Sequence, residues 1–299
     1  MSHFLRLGTL ADVTEMLWAD GPVSALIAGG TDLLVRPERL AAARIIIDIG
    51  QIEELRGVGM DDRGRLRIGA AMTHQDIADD PVVRRAAHIL GQACAQVGSF
   101  QIRNRGTLGG NLANASPAGD SIPALLCLEA AVALSARERT REVPIAEFFL
   151  GPGRTAMQVD EVIESVRIPV RRGRQVSFFE KAGQRKGMCC SKASVAFLAR
   201  RHSGRRLGEV RVALGAVAPT AIRVPEAEAI LEGQILTVER ARAAAEACRA
   251  AARAIDDIRS TREYRRDVVG ALLLQGLLPL FDRMRALERS RRSRRSRRR

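Results

Sequence analysis

The sequence predicts a mixed α+β protein made of successive small units, and three observations lead there. The first 50 residues alternate short apolar strand-like runs with an amphipathic helical stretch, the pattern of a small βαβ-like unit. Between Leu55 and about Val170, strand-like segments surround a long stretch rich in glycine, asparagine and serine. From Gln175 onward, strand-like runs give way to two long helical patterns. A chain of 299 residues, 46 % hydrophobic and 27 % charged, is long enough for two or three such units and has the balance of a folded protein. The expected division is 1–54, 55–174 and 175–285, followed by a disordered arginine-rich tail over 286–299.

In the first unit, Thr9 to Leu17 reads as a helix. Thr9 is a suitable N-cap, and Leu10, Val13, Met16 and Leu17 recur at helical spacing. Leu26-Ile27-Ala28 is a short buried strand that runs into Gly29-Gly30. Arg44 to Ile49, with its unbroken Ile45-Ile46-Ile47, is a clearer strand. In the second unit, Arg65 to Gly69 alternates as a strand, while His74 to Ile77 and Pro81 to Gly98 look helical. The polar stretch Gly98 to Asp120 reads as a long connection, and one of that length inside a domain is usually functional. Ala130 to Leu134 and Glu161 to Ile168 are strands, and Pro169 with Arg171-Arg172-Gly173 then breaks the chain. In the third unit, Val195 to Leu198 and Val210 to Gly215 are strand-like. Thr237 to Ala254 and Tyr264 to Leu280 are helices.

Charge and cysteine usage exclude several function classes. The formal net charge is +14, but the last eleven residues hold eight Arg and three Ser, and without those eight charges the other 288 residues carry only +6. A like-charge block of this kind repels itself; it stays solvated, or binds a polyanion or acidic partner in a salt-dependent way. A nucleic-acid module would also need aromatics interleaved with basic residues on the folded body, and the chain has one Trp and one Tyr. Cys94, Cys127, Cys189, Cys190 and Cys248 show no CxxC spacing and histidine is scarce, so neither a disulfide framework nor a metal site in this chain is expected. Cys127 reads as a small buried hydrophobe. No apolar run approaches the roughly 20 residues of a membrane helix, and Met1 to Arg6 opens without a long apolar leader. A cytoplasmic protein with no membrane span is expected.

Two double-glycine loops carry the chemical signal. The first is Leu26-Ile27-Ala28-Gly29-Gly30-Thr31-Asp32-Leu33; the second is Thr107-Leu108-Gly109-Gly110-Asn111, followed by Asn114. Each offers consecutive backbone N–H groups unobstructed by a Cβ, beside side chains that hydrogen-bond, which is what a pyrophosphate needs. Each equally fits a tight turn. Neither is a GxGxxG fingerprint or a Walker A sequence.

The pairing of these loops with Ala115-Ser116-Pro117 and Asp120 closely resembles the FAD-binding subunit of the molybdenum hydroxylases, the family of xanthine dehydrogenase and carbon monoxide dehydrogenase. Gln101-Ile102-Arg103-Asn104, Phe149 to Thr155, Phe179-Glu180-Lys181 with Gln184-Arg185-Lys186, and Ile255 to Arg265 extend the resemblance over about 240 residues. It implies two N-terminal subdomains of the vanillyl-alcohol-oxidase (PCMH) type holding FAD between them, with a C-terminal α+β domain of the CO dehydrogenase flavoprotein type. Both loops, Leu26 to Leu33 and Thr107 to Asn111, would wrap the diphosphate through backbone amides. Thr31, Thr107, Asn111 and Asn114 would add side-chain hydrogen bonds, although position 114 is often a small hydroxyl residue in other members. Asp120 would accept from a sugar or ribityl hydroxyl, Ile163 would pack on the cofactor, and Lys181 would bring a cation to the isoalloxazine.

The resemblance further implies an electron-transfer role without a catalytic residue in this chain. Electrons would come from [2Fe–2S] clusters on a small partner subunit, fed by a molybdopterin cofactor on a large one, and leave to NAD⁺ or another acceptor. A free-standing FAD-dependent oxidoreductase is the alternative; it would need its own acid or base over the flavin, and neither His74 nor His88 sits in a motif.

Overall fold

The computed structural model describes residues 2–185 and 190–296; Lys186, Cys189 and the last three arginines of the sequence readings above lie outside them. Strand Ile45–Asp48 is the centre of a three-stranded parallel sheet, flanked by His3–Arg6 and Ser24–Ile27. The helix Leu10–Asp20 links the two outer strands, so the βαβ unit forms. Thr9 caps it, its Oγ1 accepting the Asp12 N–H at 3.1 Å. Val13 and Leu17 are buried with Ile47, Ile52 and Leu55. Ser24–Ile27 then delivers the chain into Gly29-Gly30 at the carboxyl end of the parallel sheet, where open α/β sheets place their ligands. The four-residue strand His3–Arg6 was too short to show a pattern in the sequence.

The second sheet is antiparallel, in the order Val58–Met60, Leu66–Gly69, Val162–Ile168, Ala131–Ala136, Arg139–Pro144. Helices His88–Cys94 and Ser121–Cys127 share one buried core with its strands, through Leu66, Ile68, Leu90, Leu125 and Val166. The predicted helix from Pro81 to Gly98 is broken at Ala87, whose backbone leaves the helical region (φ −140°, ψ 46°). The stretch Gly98 to Asp120 is likewise more than a connection. It holds the short helices Phe100–Arg103 and Leu108–Asn114, capped by Ser99 and Thr107, whose hydroxyls accept from the Ile102 and Gly110 N–H groups.

The third sheet, Gln175–Ala182, Ala193–Arg201, Leu207–Gly215 and Ile222–Arg223, is antiparallel and buried on both faces. Alternation along the strands divides its residues: Phe179, Ala196, Leu198 and Ala213 join the core of the second unit, while Phe178, Val195, Phe197 and Val212 face the helices Val238–Ala251 and Arg262–Ser296. The second and third units therefore share a core. Glu129 ties them again at the surface, accepting from Arg171 at 2.6 Å and Arg211 at 2.7 Å. The disordered tail expected over 286–299 is corrected in part, because the backbone of residues 286–296 continues the final helix. Arginine is a strong helix former, and extending an existing helix avoids the cost of nucleation.

Gly276 sits in the final helix against the ring of Phe178, which stacks on Phe197 with centroids 5.0 Å apart. A Cβ there would come within 2.2 Å of that ring. Gly276→Ala gains about 1 kcal/mol of helix propensity, but overpacking against a ring pinned by its stack costs about 1–3 kcal/mol. The contact is so far inside van der Waals distance that the clash dominates, and thermal melts should show a lower Tm. A Tm at or above wild type would contradict this packing.

Candidate functional site

A cavity of about 810 Å³ opens where the three units meet, in the upper range for small-molecule sites. Leu26, Ile27, Ala28, Gly29, Gly30, Thr31, Asp32 and Leu33 line it from the first unit, and Thr107, Gly110, Asn111, Asn114 and Asp120 from the second. Four predicted residues stand off it. Leu108 is fully buried, and Gly109 is pressed on Ala70, whose Cβ a side chain at Gly109 would meet at 2.7 Å. Ile163 is packed in the core of the second sheet. Lys181 reaches the cavity only through Asp120.

The two glycine loops, alike in sequence, differ in what they offer. Gly29 packs backbone to backbone on the segment before the second loop: a Cβ on it would lie 1.8 Å from the Arg105 carbonyl oxygen. Gly30 adopts φ +71°, which glycine reaches without strain. The N–H groups of Gly29, Gly30 and Thr31 find no acceptor among the described residues. In the second loop the amides are spent on the fold. Gly109 N–H donates to Ala70 O at 2.8 Å and Asn111 N–H to Thr107 O at 3.0 Å, while Gly110 N–H donates to Thr107 Oγ1 at 3.1 Å. The cause is local: Gly29-Gly30 follow a strand end, whereas Gly109-Gly110 fall in the first turn of a capped helix. The second loop thus presents side chains. Ser121 Oγ donates to Asn111 Oδ1 at 2.6 Å, which leaves the Asn111 NH₂ as the donating group.

Asp120 is buried and fully engaged. Its Oδ2 lies 2.6 Å from Lys181 Nζ and its Oδ1 accepts from Ser191 Oγ at 2.5 Å. Lys181 also donates to Gln96 O at 2.7 Å. Burial pushes the Asp120 carboxyl up, opposed by the Lys181 charge and the two hydrogen bonds. The cation expected at the isoalloxazine is therefore half of an ion pair, and its field there is that of a dipole.

Residues 1–171 match the family described as the FAD binding domain in molybdopterin dehydrogenase, and residues 178–280 match the CO dehydrogenase flavoprotein C-terminal domain. The chain belongs to this FAD-binding family. It is 32 % identical to a putative xanthine dehydrogenase FAD-binding subunit of Escherichia coli (strain K12), over 88 % of this chain and 90 % of that protein. It is 34 % identical to the nicotine 6-hydroxylase medium subunit of Paenarthrobacter nicotinovorans, over 89 % and 92 %. Its fold matches a chain of the carbon monoxide dehydrogenase of Hydrogenophaga pseudoflava with a TM-score of 0.87 and 31 % identity, covering 92 % and 96 %.

The cavity of this FAD-binding subunit suits a dinucleotide, because at the strand end that lines it the Gly29, Gly30 and Thr31 N–H groups have no acceptor among the described residues, and a diphosphate needs donors. Two wall residues gave no signal of their own in the sequence. Arg265, buried, donates from Nη1 to Lys192 O and Ala216 O at 2.8 and 3.0 Å, and from Nη2 to Asp257 Oδ1 at 2.7 Å. It pins three separate segments of the C-terminal wall, and only the resemblance of Ile255 to Arg265 marked it. Burial opposes ionisation of Asp257, yet the N–H groups of Arg259 and Ser260 and the Arg265 charge hold its carboxyl at about 2. His74 also lines the cavity, and burial, helped by the Arg103 charge, holds its imidazole down at about 4.

Two outcomes are expected. Gly29→Ala drives a Cβ into the Arg105 backbone and should destroy the junction, with loss of folded protein. Gly110→Ala meets only Thr107 Oγ1, at 3.0 Å, and should fold; equal folded yields on gel filtration would contradict the difference. The second concerns pH. The folded pKa of His74 lies below its ordinary 6.5, so the unfolded chain binds the proton first, and stability falls as pH drops from about 6.5 toward 4. Between pH 7 and 5, wild type should lose about 2 kcal/mol relative to His74→Gln in denaturant melts. Identical pH dependences would contradict a buried, neutral His74.

Proposed function

We propose that this subunit carries FAD as the electron-transfer component of a molybdenum-dependent hydroxylase or dehydrogenase, working with a large molybdopterin-binding subunit and a small [2Fe–2S] subunit in the cytoplasm. The observation that carries the reading is the set of uncommitted N–H groups at Gly29, Gly30 and Thr31, set in a cavity walled by all three units. FAD bound there supplies two-electron redox chemistry that the side chains lack. The first loop would hold the diphosphate; Thr107 and Asn111 would direct hydrogen bonds from the opposite wall. Asp120, with Lys181 and Ser191, would fix the floor of the site, and Ile163 would back it from the core. Arg265 would keep the C-terminal wall closed around the ring system.

The partner subunits are supported by the relatives, named as subunits or medium chains of xanthine dehydrogenase and nicotine 6-hydroxylase. Electrons would arrive from the iron–sulfur partner and leave to NAD⁺ or another acceptor at the exposed side of the cavity. The free thiols Cys94, Cys127, Cys190 and Cys248 suit a reducing compartment. Among the described residues, no helix is long and apolar enough to cross a membrane.

The test uses the tagged full-length chain, purified from cells carrying its native genome. The complex should contain molybdenum, iron and FAD in fixed proportion. In the isolated chain the flavin should be reduced by dithionite but not by aldehydes or N-heterocycles. A chain that purifies alone and oxidises such a compound directly would instead be a free-standing flavin oxidoreductase.

A further inference from the structure

His74 is a nearly buried side chain at the cavity, and only one of its ring nitrogens meets another group among the described residues. It opens the helix His74–Asp79 directly after the N-cap Thr73, and its backbone N–H donates to Gly106 O at 3.0 Å. That bond holds it against the Arg105-Gly106 segment on which the first glycine loop packs. The side chain is only 2 % exposed, yet it lines the cavity. Its Nδ1 lies 3.5 Å from Cys94 Sγ, and its Nε2 has no partner among the described residues. A Cβ built on Gly106 would lie 3.2 Å from Thr31 Oγ1 and 3.5 Å from His74 Cδ2, the carbon bonded to Nε2. The Thr31 hydroxyl and the Cδ2 side of the His74 ring thus flank one small space, in the same cavity lining as Gly29, Gly30 and Thr31, whose N–H groups have no acceptor among the described residues.

We propose that His74 is a further ligand-contacting residue, whose Nε2–H donates to a phosphate oxygen of the dinucleotide in the space beside Gly106. The inference rests on the FAD reading above and adds a residue to it. Cys94 sets the tautomer. It is fully buried, which pushes its thiol up and keeps it protonated. Its S–H donates to Nδ1, which places the single ring proton on Nε2, the edge at the cavity. The Ile102 carbonyl oxygen, 3.1 Å from the Cβ built on Gly106, is already taken by the Arg105 and Gly106 N–H groups, and the Thr31 hydroxyl can donate, so the space suits an anionic oxygen. Nε2 has no partner among the described residues, and a phosphate oxygen in the cavity would give it one.

FAD titration of the apo full-length chain, followed by flavin fluorescence, tests this with His74→Phe and His74→Gln. His74→Phe should raise the Kd for FAD at least about tenfold. His74→Gln, whose NH₂ replaces the Nε2 donor, should stay within about threefold of wild type. In ¹⁵N spectra of histidine-labelled wild type, the resonance lost in His74→Gln should show a proton on Nε2 and move when FAD is added. Wild-type affinity in His74→Phe, equal losses in both variants, or a proton on Nδ1 each overturn the proposal. If His74→Phe does not fold, the tautomer and its response to FAD decide. Failure of wild type to take up FAD sinks the FAD reading and this inference with it; the other contrary outcomes sink the inference alone.

Discussion

The site depends on one close approach, that of Gly29 to the Arg105 carbonyl. Only a residue without a Cβ permits it. Because the two backbones touch there, the carboxyl end of the parallel sheet abuts the helical segment of the second unit, and the cavity lies between them. The same contact draws the Gly29-Gly30-Thr31 backbone away from any strand or helix that would use its N–H groups. A stretch of backbone that the fold cannot satisfy is normally a cost. Here it sits at a cavity, where a bound diphosphate would supply the acceptors.

The C-terminal unit completes the enclosure by a different device. Its sheet shares a core with the second unit on one face and is covered by its own helices on the other. Arg265 reaches from the final helix to Lys192, Ala216 and Asp257, joining three chain segments at one buried guanidinium. Most carboxylates at the cavity are ion-paired: Asp120 with Lys181, Asp257 with both Arg265 and Arg259, and Asp32 with Arg36, while Arg253 also lines the wall.

Much of this was legible in the residues. The Ile45-Ile46-Ile47 run, the Thr9 cap and the glycine pair after Leu26-Ile27 are local signals, and the βαβ unit follows from them. The second glycine pair was legible as a loop residue type but not as a helix turn, although Thr107, three residues before Gly110, is a capping signal that could have distinguished them. The charge of Lys181 is written in the sequence; its neutralisation by Asp120, 61 residues away, is not. His74 sits in no sequence motif, and only its tertiary contacts with Gly106 and Cys94 place it at the cavity. The helical path of residues 286–296 was obscured by arginine charge, which argues for solvation without deciding backbone conformation.

The most direct measurement is a crystal structure of the chain with FAD bound. The account places the diphosphate oxygens within hydrogen-bonding distance of the Gly29, Gly30 and Thr31 N–H groups, with the N–H groups of Gly109, Gly110 and Asn111 still bonded within the protein. A diphosphate held instead by the second loop's amides, with the first loop's N–H groups turned to solvent, would contradict it.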